Sequence, residues 1–125
     1  MSSRKIQEQV NIAYDLKKTQ HALRLAFDEG MRTIDLTTPQ YAALSMIEAH
    51  RGISNAQLAR KCFVTAQTMH GIMANLEKRA LIKRTSNPSH GRVLCTELSA
   101  KGKKCLSEAR LLTESIEGTM IRNIK

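Results

Sequence analysis

The sequence predicts a mainly α fold with one small β-hairpin, a winged helix-turn-helix whose long N- and C-terminal helices form a dimerisation region. Three observations predict it. Two short capped helix signals stand close together in mid-chain, two runs rich in branched residues follow with turn formers between them, and the excess positive charge is concentrated in that same segment.

From about Arg4 to Gly30, Ile6, Val10, Ala13, Leu16, Leu23 and Phe27 recur mostly three or four apart, without Pro and with a Gly at the end, which predicts a long first helix. Thr37 or Thr38 caps a second helix with Pro39 in its first turn and Tyr41, Leu44 and Ile47 on its buried face, stopping near His50 to Gly52. Ile53 is isolated and is expected to add a single rung to a sheet elsewhere. Ser54 with Gln57 makes a capping box, so a third helix begins in SNAQLARKC and is expected to bury Ala56, Leu58 or Ala59, and Cys62. Phe63 and Val64 form a tight connection to Thr65, the cap of a fourth helix with Met69, Ile72, Met73 and Leu76 on its apolar face. After Leu81, IKRTS and RVLCTELS read as strands, and the intervening NPSHG supplies a polar, basic turn. Ser99 caps a last long helix with Leu106, Ala109, Leu112 or Thr113, Ile116, Met120 and Ile124 on one face, interrupted at Gly118.

A length of 125 residues fits one domain, with dimerisation helices at about 4–30 and 99–125 and the winged helix-turn-helix at about 37–98. Hydrophobic residues at 42% and charged ones at 25% exclude an intrinsically disordered chain. Between Arg51 and Lys104 there are eleven Lys or Arg against two acids, so this stretch carries the entire net charge of +9 and the two ends are neutral. That distribution implies a polyanionic partner, because charge that merely solvates a surface is mixed in sign. No apolar run approaches a membrane span and the N-terminus lacks a signal-peptide core, so a soluble, cytoplasmic protein is expected. Four aromatic residues and no Trp leave no stacking platform for unpaired bases, which points to duplex rather than single-stranded nucleic acid. The three cysteines, Cys62, Cys95 and Cys105, fall in no CxxC spacing and fit a reducing compartment, with packing the expected role of Cys62 and Cys105. His21, His50, His70 and His90 stand on separate elements, and no phosphate-binding loop, nucleophile elbow or His-carboxylate spacing is present. No metal, no cofactor and no enzymatic activity are therefore expected.

A winged helix reads DNA with the second helix of its motif in the major groove and its hairpin tip at the minor groove or backbone. On the fourth helix, Gln67, Thr68, His70, Gly71, Ala74 and Asn75 lie opposite the apolar stripe. Gln67 and Asn75 have the paired donor and acceptor that suit adenine, Thr68 offers hydroxyl or methyl, and His70 donates to guanine or phosphate. Gly71 costs roughly 1 kcal/mol in a helix interior, which close approach of DNA explains. Thr65 joins this reading set at the helix cap. Ser54, Arg84, Ser89, His90 and Arg92 form the expected wing and backbone set, with Arg92 placed to enter a narrow minor groove.

The segments TTPQYAALSMIEAH, SNAQLARKCFVTAQTMHGIMANLEKRALIKR and NPSHGRVLCTELSAKGKK, between two long helices, resemble the MarR family of bacterial winged-helix transcription regulators. The resemblance runs from about residue 4 to about residue 117, and LEKRALIKR followed by a turn, an Arg and LSAKG, similar to the family's LTxxG, is its most specific part. It implies a homodimer joined through the terminal helices, a pseudo-palindromic operator, repression, a place at the bacterial nucleoid, and often release by a small molecule or an oxidant. The sequence departs from the family pattern where Asn87 and His90 replace wing acids, where Ala80 replaces the Gly usual before the first wing strand, and in its short C-terminus. The family's peroxide sensors carry a reactive Cys in the first helix, and this chain has none there.

By the same analogy Tyr14, His21 and Arg24 line a small-molecule pocket where the first and last helices meet the reading motif. Ile12 and Leu25 beside one apolar stripe, and Leu111 and Ile121 beside the other, leave more apolar surface than a monomer of this size buries, so a homodimer is expected. The rival reading is a winged-helix module for protein interaction, without sequence-specific DNA binding. The concentrated charge argues against it.

Overall fold

The computed structural model describes residues 3–86 and 94–124. Helices α1 (Ser3–Thr33), α2 (Thr38–Ala49), α3 (Asn55–Lys61) and α4 (Ala66–Lys78) are followed by strands β1 (Ile82–Ser86) and β2 (Leu94–Leu98) and helix α5 (Ala100–Ile124). The strands pair antiparallel, with Ile82 opposite Leu98 and Arg84 opposite Thr96. A mainly helical chain with this hairpin after a helix-turn-helix is the winged-helix fold that the sequence predicts.

Local chemistry sets the helix starts. Thr37 and Gln40 form a reciprocal capping box on α2, as Ser54 and Gln57 do on α3, and the Thr65 hydroxyl accepts from the Thr68 N–H at the start of α4. Leu44, Leu58, Met69, Leu76, Leu81 and Leu106 are the fully buried centre around which α2 to α5 and the sheet assemble.

Five sequence expectations need correction. Gly30 does not end α1, which continues to Thr33 and buries Met31. Its missing side chain serves packing instead, since a Cβ there would come within 2.8 Å of Ile116 Cδ1 on α5. Gly118 likewise leaves α5 unbroken, because tertiary contact upstream outweighs one glycine's propensity cost. Ile53 joins no strand among the described residues; its N–H donates to the His50 carbonyl at 3.1 Å and its side chain enters the core. Ala56 is exposed, because Leu58 and Ala59 already fill the inner face of so short a helix. Finally, the apolar stripe of α1 is not a core stripe over its first part, for residues 3–22 are all exposed, Ile6, Val10 and Leu16 included.

The hairpin is joined to α5 by a compact polar joint. The Ser99 hydroxyl donates to the Ala80 carbonyl at 2.6 Å and accepts from the Gly102 N–H at 3.0 Å, while the Ser99 N–H donates to the Leu81 carbonyl at 3.0 Å. Gly102 lies so close to Leu81 that a Cβ would overlap its carbonyl oxygen. Ala80 adopts φ 58°, a left-handed conformation in which glycine is the residue of least strain. That is the physical meaning of the Gly-to-Ala departure noted in the sequence.

Candidate nucleic-acid interface

One face of α4 is fixed by burial and the other is left open. Met69, Met73 and Leu76 are buried and Ile72 is half-buried, whereas Gln67, Thr68, His70, Gly71, Ala74 and Asn75 are exposed. Gln67, Thr68 and His70 therefore share the N-terminal half of an outward face whose orientation the core determines. Open space surrounds the position a Cβ would take at Gly71, so nothing inside the protein requires a glycine there.

Thr65 is occupied as a cap, accepting from the Thr68 N–H at 3.1 Å and donating its hydroxyl proton to Thr68 Oγ1 at 2.9 Å. Ser54 is exposed and caps α3, accepting from the Gln57 N–H at 3.1 Å. Asn75 lies on the open face but its Oδ1 already accepts from Gln40 Nε2 at 2.8 Å. It ties the C-terminal half of α4 to the start of α2. Gln40 Oε1 also receives Arg79 Nη1 at 3.4 Å, and Arg79 reaches Asp35 at 3.5 Å. This cross-element clasp escapes a reading of helix periodicity, although the Gln40 capping box marks one end of it.

Arg84 has a partner within the protein. It shares the inward face of β1 with Ile82, by the two-residue alternation of a strand, and its Nε stands 3.4 Å from Glu77 Oε2 on α4. Its guanidinium braces the hairpin against α4. Arg51 is similarly paired with Glu97 at 3.1 Å, whereas Arg60 and Lys61 at the end of α3 are exposed beside the reading face. Ser89, His90 and Arg92 lie outside the described residues.

The expected pocket residues Tyr14, His21 and Arg24 are brought together along one exposed side of α1, with Lys17, Lys18 and Gln20, and among the described residues no second element lines that surface. The cleft where α1, α2 and α5 meet lies lower, encloses about 280 Å³ and is lined by Phe27, Met31, Thr38, Tyr41, Thr113 and Glu117. Thr113 Oγ1 is buried there without a hydrogen-bond partner, and the Thr38 hydroxyl donates to Asp28 at 2.7 Å. Burial pushes the Cys62 and Cys105 thiols above their ordinary pKa, which disfavours the reactive thiolate and fits a packing role. No helix is long and apolar enough to cross a membrane among the described residues, and none of their His, Cys, Asp and Glu side chains form a metal-binding group.

A helix-turn-helix with a core-locked inner face and a polar outer face, backed by a hairpin and set in a basic segment, defines a winged-helix transcription regulator. The family model described as the MarR family matches residues 34–93. The chain is 26% identical over 113 residues to the HTH-type transcriptional repressor Rv2887 of Mycobacterium tuberculosis, covering 90% of this chain and 81% of that protein. The structure of Rv2887 with salicylic acid superposes with a TM-score of 0.77 at 26% identity, over 90% of this chain and 84% of that one. Its structure with DNA gives 0.78 at 24% identity over the same shares. The chain is thus similar to MarR-family winged helix-turn-helix regulators, with the family match confined to residues 34–93.

Proposed function

We infer that this chain is a homodimeric transcription repressor that binds double-stranded DNA at a pseudo-palindromic operator and is released by a small-molecule ligand. The observation that carries the reading is the open face of Gln67, Thr68, His70 and Gly71 on a helix whose opposite face is locked in the core, inside the segment that holds the whole +9. Rv2887 has been crystallised with DNA, which agrees with it. Gln67, Thr68 and His70 read bases; Thr65 sets the helix start; Ser54, Ser89, His90 and Arg92 contact the DNA backbone and minor groove. The entire chain acts as one domain, in the bacterial cytoplasm at the nucleoid, and works by binding without catalysis.

The exposed Ile6, Val10 and Leu16 on α1 and Leu111 and Ile121 on α5 supply the apolar surface for a second copy. The ligand site is the α1–α2–α5 cleft, where the unpaired Thr113 hydroxyl awaits a polar group and Phe27 and Tyr41 suit an aromatic ring. Rv2887 was solved with salicylic acid, an aromatic acid of that size class. A ligand there acts only by favouring one spacing of the two reading heads over another.

Selection of duplexes from a random pool tests the reading. An inverted repeat with half-site centres about one helical turn apart is expected. Gln67→Ala should cost about 1 to 3 kcal/mol of specific affinity, leave the melting temperature unchanged, and spare the salt-driven non-specific component. A folded protein that enriches no inverted repeat would return the chain to the protein-interaction reading.

A further inference from the structure

Phe63 occupies the turn between α3 and α4 and is the most exposed large apolar side chain among the described residues, with 95% of its surface open to solvent. Its backbone has φ 57°, the left-handed region in which a bulky side chain is strained and glycine or asparagine is the usual occupant. The flanking chain holds it there: the Phe63 N–H donates to the Arg60 carbonyl at 3.3 Å and the Val64 N–H to the Ala59 carbonyl at 3.0 Å, while Cys62 and Val64 pack on the core. Of the other non-glycine residues with positive φ, Asp35 has Arg79 as its ion partner and Ala80 has no bulk. Phe63 alone of the three combines strain with a large exposed ring that no other described residue covers.

We propose that Phe63 is a base-contacting residue whose ring packs on a thymine 5-methyl group at the edge of the major groove that α4 enters. The proposal rests on the DNA-binding reading above. Phe63 lies two residues before the Thr65 cap and four before Gln67, in the turn that leads directly into the reading helix. Arg60 and Lys61, both exposed, precede it in the chain, and two cations beside an open ring favour nucleic acid over a second apolar protein surface. In the major groove the thymine methyl is the apolar group that a Phe side chain meets.

The test uses the duplex that the wild-type protein selects, remade with each thymine in turn replaced by uracil, which removes only the methyl. One position per half-site should weaken wild-type binding about fourfold, the equivalent of one buried methyl group. That loss should vanish in Phe63→Gly, which binds the unmodified duplex correspondingly less well. Phe63→Gly should melt at the same or a higher temperature, because glycine adopts the left-handed turn without strain and no packing is lost. Equal affinity and an unchanged uracil pattern in Phe63→Gly would overturn the inference while leaving DNA binding intact. A change in sedimentation mass in that variant, in place of the uracil effect, would assign the ring to a second copy and overturn it too. Selection of no duplex by the wild type removes both readings together.

Discussion

The helix-turn-helix with its hairpin and the first part of α1 both carry apolar residues at regular spacing, yet they end in opposite states. Around α2, α3 and α4, Leu44, Leu58, Met69 and Leu76 are wholly enclosed by their own chain. Along residues 3–22 nothing is enclosed, although Ile6, Val10 and Leu16 keep the spacing of a buried stripe. The spacing of apolar residues thus announces that a face will be covered, but not which chain covers it. One region finishes its core alone. The other leaves its apolar stripe open.

Three perturbations test that contrast. Gly102→Ala should have the largest effect, roughly 3 kcal/mol or more of lost stability, because the new Cβ meets backbone rather than a yielding side chain. Chemical denaturation should show this loss at every protein concentration; a variant as stable as the wild type would mean the joint can open without cost. Val10→Gln with Leu16→Gln should halve the sedimenting mass at micromolar concentration and abolish tight binding to the full inverted repeat, while leaving binding to a half-site and the fold of the core intact. A variant that stays dimeric would place the subunit contact elsewhere. The smallest effect concerns the thiols. With Cys62 and Cys105 raised above their ordinary value of 9.0 by burial, alkylation at pH 8 should run slower than for a free thiol, and urea should erase the difference. The protonated thiol is the form the fold favours, so its contribution to stability is complete below pH 9 and fades as the pH rises through the folded-state values.

Where the chain announces structure by local hydrogen bonding, the sequence reading holds closely. The Ser54–Gln57 box, the Thr65 cap and the IKRTS strand stand where their residues place them, and with them the exposed order of Gln67, Thr68 and His70. It fails where a residue answers to a neighbour distant in sequence. Gly30 reads as a stop but packs against Ile116, and the Asn75–Gln40 and Arg84–Glu77 contacts join elements that periodicity treats separately. The α1–α2–α5 cleft escapes the sequence for the same reason. Its walls come from three helices, and Tyr14, His21 and Arg24 share only one of them.

The Ser99 joint has a mechanical consequence. Because its hydroxyl links Ala80 to Gly102 and its amide holds Leu81, the base of the hairpin and the first turn of α5 move as one rigid lever. Torque applied to α5 at the surface proposed for a second copy reaches the hairpin base through this joint and, through Arg84 and Glu77, α4. Any bending that changes the distance between two reading heads must then be absorbed elsewhere, along α5 beyond that first turn or at the Asp35 corner between α1 and α2.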